Sequence, residues 1–323
     1  MPLKSHYKTR PFSEAGSLSH MTAWYEEGRN VIWMMLHASP RPCFSEALLI
    51  EISQLAKAAK ASGLTIDFWV TGSTVPNFFN LGGDLSLFIS HIRNGALSEL
   101  SHYAHLCIDA VYYALSNFDV GAITIAMIEG TALGGGFEAA LAHEFVIAQK
   151  DVKMGFPEIA FNLYPGMGAY SIVARKATLR LAEELISTGA SHTAEWFHEN
   201  GLVDRIFEDG DAYQTVRTFI DEMRPKLVGI RGMLRARRRV AGVSKEELLA
   251  ITDEWVESAF EIGEKDLEIM ERLVVLQNKR PVTQIHSVNK PASQVPPSKT
   301  TSNSYAPPRQ VFSTDFDPSS DEA

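Results

Sequence analysis

The chain has 323 residues, a formal net charge of −9 and a hydrophobic fraction of 45%. That suffices for a sizeable core in one or two domains, and the acidic balance excludes a nucleic-acid backbone as the expected partner. The two cysteines, Cys43 and Cys107, lie far apart and form no CxxC, which excludes a disulfide framework or thiolate metal site and fits a reducing cytoplasm.

In chain order, residues 1–20 are polar and read as a flexible N-terminal segment without the apolar stretch of a signal peptide. WYEEGRNVIWMMLHA (24–38) reads as a strand or hairpin. Ser45 opens a helix whose apolar positions Leu48, Ile52, Leu55 and Ala59 recur at three and four, ended by Gly63. LTIDFWVTGS (64–73) is a buried strand. The turn FNLGGD follows, then helices over about 84–93 and 97–118. GAITIAMIEGTA (121–132) is a strand leading into three consecutive glycines, then helix FEAALAHE and strand FVIAQK (145–150). The strand–helix alternation predicts an α/β domain.

Beyond residue 166 the chain turns mainly helical, with short helices in GAYSIVARKA, TLRLAEELISTG and TAEWFHENG. LVDRIFEDGD reads as a short strand and turn. One helix is predicted throughout 244–279 from the stripe Leu248, Thr252, Trp255, Ala259, Ile262, Met270, Leu273 and Gln277. The basic run from Arg231 to Arg239 reads as a solvated helix face. Residues 281–323 are rich in Pro, Ser and Thr and are predicted to form a disordered tail. No run of about 18 apolar residues suggests a membrane span.

The chemistry concentrates in two glutamates twenty residues apart, Glu138 in GGGFEAALAHE and Glu158 in MGFPEIAF. Carboxyls in apolar surroundings hold their protons to higher pH, because desolvation penalises the ion. Two of them on one pocket suit general acid–base chemistry. Gly134, Gly135 and Gly136 leave backbone N–H groups bare, which suits a developing negative charge. GGGFEA also fits the G-x-G-x-x-A dinucleotide fingerprint, but that fingerprint wants its acid at the end of the next strand. That strand ends near Lys150, and Glu158 lies beyond it. The histidines show no metal-ligand spacing, and no G-x-S-x-G elbow is present, so neither a metal centre nor a serine hydrolase is expected.

IAMIEGTALGGGFEAALAHEFVIA, MGFPE and LYPGMGA resemble the crotonase (enoyl-CoA hydratase) superfamily over roughly residues 25–280. FNLGGDLSLF, GGGFEAAL, YPGMGAYS and GEKDLEIMERLV are similar to the synthases of diffusible signal factor, enzymes that make cis-2-unsaturated fatty acids for bacterial quorum sensing. The resemblance implies a crotonase fold: a ββα spiral over residues 21–200 and a helical region over 201–280 that serves trimerisation and the acyl pocket. It implies an oxyanion hole from the N–H of Leu81 or Gly82 and that of Gly135. Glu138 and Glu158 match the two hydratase glutamates, Gly134 falls in the substrate-binding turn, and Trp255 matches a pocket tryptophan. It further implies a substrate carried on acyl carrier protein or CoA, no cofactor and no metal, a homotrimer or dimer of trimers, and regulation by a membrane sensor kinase. The alternatives are an ordinary enoyl-CoA hydratase of fatty-acid breakdown and a non-catalytic binding protein.

Overall fold

A computed structural model describes residues 8–38, 41–208 and 210–278. Its strands are β1 (Thr9–Pro11), β2 (Met21–Glu26), β3 (Val31–Leu36), β4 (Phe68–Ser73), β5 (Phe78–Asn80), β6 (Ile123–Ile128), β7 (Thr131–Leu133), β8 (Phe145–Gln149), β9 (Lys153–Gly155), β10 (Ser191–Thr193) and β11 (Arg205–Phe207). Its α-helices are α1 (Glu46–Ala61), α2 (Leu85–Arg93), α3 (Leu97–Leu115), α4 (Gly135–Leu141), α5 (Ala169–Lys176), α6 (Leu179–Thr188), α7 (Ala194–Glu199), α8 (Ala212–Met223), α9 (Leu227–Ala241), α10 (Lys245–Ala259) and α11 (Glu264–Asn278).

One sheet is ordered β1-β2-β3-β4-β6-β8-β11, parallel from β3 onward, with β2 and β1 added antiparallel. A second is ordered β10-β9-β7-β5, with β9, β7 and β5 parallel. The chain repeats one step. A long strand enters the first sheet, a short strand enters the second, and a helical segment returns: β4–β5–α2, β6–β7–α4, then β8–β9 and a 3₁₀ turn over Pro157–Phe161. Each repeat advances both sheets by one strand. This is the ββα spiral that the resemblance implies.

The long strands are continuous apolar runs, VIWMML in β3 and ITIAMI in β6, buried along their whole length. Such runs are what a sheet covered on both faces requires. One face packs on α1, α3 and α4, the other on α8 and α9 through Trp33, Val70, Ile125, Val216, Ile220 and Leu234. A third cluster, including Leu85, Ile89, Leu100, Trp255, Val256 and Met270, joins α2, α3, α10 and α11 beside the second sheet's glycine turns.

The structure differs from the sequence expectations at several places. Within 1–20, β1 pairs with Trp24–Glu26, Phe12 is buried, and the N–H groups of Ser19 and His20 both donate to the Glu51 carboxylate at 2.8 Å. From residue 8 this segment is thus part of the body. The stretch 121–132 is two strands, because Gly130 turns against the Asn77 backbone, where a side chain has no room. The helix read over 244–279 breaks after Ala259. The apolar stripe runs on, but Phe260 caps α10 and the Asp266 carboxylate accepts the Gly263 N–H at 3.0 Å, starting a new helix. The tail over 281–323 lies outside the described residues.

The first sheet's hairpin is held by a buried carboxylate. Glu26, 1% exposed, accepts from Arg29 Nη1 at 2.6 Å, Trp33 Nε1 at 2.9 Å and Arg217 Nε at 3.2 Å. Removing one partner of a buried ionic cluster strands the others, at about 3–5 kcal/mol. Glu26→Ala is therefore expected to destabilise by about that amount in urea unfolding, and a loss below about 1 kcal/mol would show the cluster to be dispensable.

Candidate active site

The second glycine turn joins β7 to α4, and each of its glycines answers to a different neighbour. Gly134 has φ +52° and ψ −132°, a region closed to side chains, and a Cβ there would fall on Glu158 Oε1. A Cβ on Gly135 would strike Met167 Sδ, and one on Gly136 the backbone carbonyl of Asn80. The close approaches expected of a ligand are thus made, in the first place, by the protein itself. They bring Glu158, Met167 and the first glycine turn against the start of α4.

Glu138 sits in the first turn of α4 with 1% exposure. Its Oε1 accepts the N–H groups of Met167 and Ala169, each at 2.8 Å. Burial pushes this carboxyl up to about 7, while the two N–H bonds favour the ion and hold it down. Glu158 follows Pro157 in the 3₁₀ turn. The residue keeps partial exposure, yet its Oε2 is buried and has no hydrogen-bond partner. Burial first, and then the neighbouring Glu138 charge, drive its carboxyl well above the usual carboxylate range. Two neighbouring buried carboxyls titrate as a pair rather than singly. The two N–H groups favour the ion on Glu138, whereas Glu158 Oε2 receives none.

The first glycine turn joins β5 to α2, whose N-cap is Asp84. Its four successive N–H groups can be accounted for one by one. Leu81 donates to the Pro42 carbonyl at 2.7 Å, Gly82 to Asn80 Oδ1 at 2.7 Å, and Asp84 to the Tyr103 hydroxyl at 3.1 Å. Of these four, the Gly83 N–H alone has no acceptor among the described residues, and Gly83 lines the cavity that also holds Gly135, Glu138 and Glu158. The expected donors Leu81 and Gly82 are therefore committed elsewhere, and the uncommitted N–H is one residue further on. An Asn two positions before a glycine was the available clue, because Asn side chains hydrogen-bond the N–H two residues on. Gly135, the first residue of α4, has no intrahelical acceptor for its N–H. The two turns touch: a Cβ on Gly82 would lie 2.8 Å from the Gly135 nitrogen.

The cavity is narrow, about 40 Å³, and its far wall is apolar: Phe88, Ala104, Cys107, Phe161 and Trp255. Trp255 lies flat against Gly166 and meets the Phe88 ring edge-on at 5.1 Å. Its Nε1 is buried without a partner. Burial pushes the Cys107 thiol up to about 12, so it is no thiolate nucleophile. No group of three or more His, Cys, Asp or Glu able to hold a metal is found among the described residues, and no helix there is long and apolar enough to cross a membrane. His105 pairs with Asp253 at 2.6 Å, away from the cavity. In the basic run, Arg231 pairs with Asp67 at 2.7 Å and Arg238 with Glu144, so part of it fastens α9 to the body.

A model of the enoyl-CoA hydratase/isomerase family matches residues 26–245. The chain is 37% identical over 103 residues to an enoyl-CoA isomerase/hydratase of Mycosarcoma maydis, covering 32% of this chain and 38% of that one. It is 31% identical over 165 residues to a fatty acid oxidation complex subunit alpha of Pseudomonas syringae, covering 50% and 22%. The chain thus spans less than half the length of these curated relatives. Among solved structures, an enoyl-CoA hydratase from Bacillus halodurans superposes with a TM-score of 0.63 at 19% identity, covering 79% of this chain and all (100%) of that one. Pseudomonas aeruginosa DspI superposes at 0.58 with 22% identity, covering 81% and 96%. At these identities the structural likeness speaks for the fold.

The raised carboxyl of Glu158 has a consequence for stability. Its pKa in the folded chain exceeds the unfolded value of about 4.3. The folded state therefore keeps a proton that the unfolded state has lost, and the stability this brings, full below the unfolded value, fades as pH rises toward the folded one. Glu158→Gln cannot ionise and is expected to gain melting temperature relative to the parent as pH rises above about 4.3 toward the raised folded value. Parallel melting curves across that range would show a carboxyl with ordinary titration.

Proposed function

Since the chain belongs to the enoyl-CoA hydratase/isomerase family, we propose that it makes and quenches an enolate on an acyl thioester, and that it acts as a diffusible signal factor synthase. The observation that carries the enolate reading is the convergence on one cavity of the uncommitted Gly83 and Gly135 N–H groups with two buried carboxyls. On this reading the thioester oxygen accepts both N–H groups. One glutamate removes a Cα proton from a 3-hydroxyacyl thioester. The Cβ–O bond breaks, the hydroxyl takes a proton from the other glutamate, and water leaves with a cis-2-enoyl thioester behind. The same N–H pair then holds the oxyanion as carboxylate-activated water attacks the carbonyl, the C–S bond breaks, and the thiol leaves with a proton. Each step is a proton transfer, an elimination or an addition to the carbonyl, with no net oxidation or reduction, so no cofactor is proposed.

We assign Glu158 to Cα and Glu138 to the hydroxyl or water. A protonated Glu158 beside an ionised Glu138 is the starting state for adding water, and dehydration starts with the proton on Glu138. The apolar wall favours an acyl chain, carried on acyl carrier protein or CoA. A homotrimer or dimer of trimers built through residues 201–280, and regulation by a membrane sensor kinase, complete the reading. The names of the relatives favour a second reading, an ordinary enoyl-CoA hydratase. Incubation with 3-hydroxyacyl-carrier-protein and 3-hydroxyacyl-CoA, followed by mass spectrometry, separates the two: a free cis-2 acid supports the synthase, and an enoyl thioester that stays bound to its carrier supports the hydratase.

Glu138→Gln and Glu158→Gln are each expected to lower turnover by about 10²–10⁴-fold with the fold intact, because the amide cannot exchange a proton at neutral pH. Near-parental turnover in either variant removes that residue from the reaction. Trp255→Leu is expected to shift the product distribution toward longer or bulkier chains, by about 1–3 kcal/mol per methylene accommodated. An unchanged distribution with a lowered melting temperature would make Trp255 a packing residue only.

A further inference from the structure

Asn80 ends β5 and is fully buried. Burying a primary amide is costly unless its polar atoms are paired, and here only one is. Oδ1 accepts the Gly82 N–H at 2.7 Å, while Nδ2 has no partner. The Asn80 backbone and Cβ pack against Gly136, but an alanine would keep those contacts. What the amide adds to the fold is a single bond, from a side-chain carbonyl to the N–H two residues on.

That bond acts on a pair of consecutive glycines, the most conformationally free dipeptide a chain can have. In a trans peptide the C=O and the N–H point in opposite directions. The Gly82 carbonyl accepts the Phe44 N–H at 2.8 Å, so the Gly83 N–H on the same peptide points away from Phe44, toward the cavity. The preceding peptide must also be held, or the Gly82 N–H, left without an acceptor, competes to turn inward. The Leu81 N–H is tied to Pro42 and the Gly82 N–H to Asn80. Among the described residues, Asn80 is the only side chain that acts on that second N–H.

We propose that Asn80 is a positioning residue for thioester turnover: its amide carbonyl captures the Gly82 N–H and thereby sets the Gly82–Gly83 peptide with the Gly83 N–H facing the substrate oxygen. It touches no substrate and acts through Gly83. The assignment rests on the reading that Gly83 and Gly135 bind a thioester oxygen.

The test compares Asn80→Ala with Asn80→Ser. Serine keeps an oxygen that can accept the N–H two residues on, whereas alanine keeps only Cβ. Loss of one oxyanion donor costs about 10²–10³ in rate, so a donor free to turn away is expected to cost about tenfold or more in kcat. KM should change little, and the ultraviolet shift of an enoyl thioester on binding, which reports carbonyl polarisation, should shrink in Asn80→Ala. Serine should restore most of both. Equal kcat in all three proteins, or equal losses in both variants with matching drops in melting temperature, would overturn the proposal. Crystal structures of the parent and Asn80→Ala decide the matter separately from activity. A rotated Gly82–Gly83 peptide in the alanine variant supports it, and an unmoved peptide rejects it. Absence of thioester turnover by the parent itself would sink the enolate reading and leave the peptide comparison to judge Asn80.

Discussion

The contact between Gly82 and Gly135 is the constraint on which the site depends. β5 and β7 are neighbours in the second sheet, and both run parallel, so their turns emerge at the same edge. Parallel sheets place ligands beyond the carboxyl ends of their strands. Here the two turns approach until no Cβ fits at 82 or 136, where it would meet the Gly135 nitrogen and the Asn80 carbonyl respectively. Any side chain at those positions would push the turns apart and separate the two N–H groups. Gly136 is thus required by distance alone, and Gly82 both by distance and by its φ of +88°.

Around that contact the polar groups are committed almost completely. Tyr103, buried in full, donates to the Phe44 carbonyl at 2.5 Å and accepts the Asp84 N–H, while Arg41 pairs with Asp84 at 2.7 Å. Glu138 is held by two N–H groups from the segment that carries Met167. Among the groups left uncommitted there are the N–H groups of Gly83 and Gly135 and, on side chains, Glu158 Oε2, Asn80 Nδ2 and Trp255 Nε1. In a site of low dielectric each such group interacts strongly with a charge that forms beside it, and none has to reorganise first.

Much of this was legible in the sequence, and the limits have physical causes. Glu138 and Glu158 stood out because a carboxylate among apolar residues is anomalous locally, without reference to the fold. The glycine turns stood out for the same reason. The donor at Gly83 did not, because the availability of an N–H depends on acceptors that arrive from elsewhere: Pro42 for Leu81, and Tyr103 for Asp84. The role of β1 was hidden because its three residues are polar or Pro and bury little of themselves. The break between α10 and α11 was hidden because hydrophobic periodicity runs across it, while the stop is written in backbone caps.

One part of the cavity wall comes from a different stretch of chain than the glycine turns and the two carboxyls. Gly83, Gly135, Glu138 and Glu158 all fall within the span 26–245 that matches the family, whereas Thr252 and Trp255, on α10, fall outside it. Both bear on Gly166, the residue before the Met167 whose N–H holds Glu138: Thr252 Oγ1 donates to the Gly166 carbonyl at 2.6 Å, and the Trp255 ring lies against the Gly166 Cα. A substitution on α10 is therefore felt twice: in the width of the cavity and, through Gly166, in the segment that holds the Glu138 carboxylate.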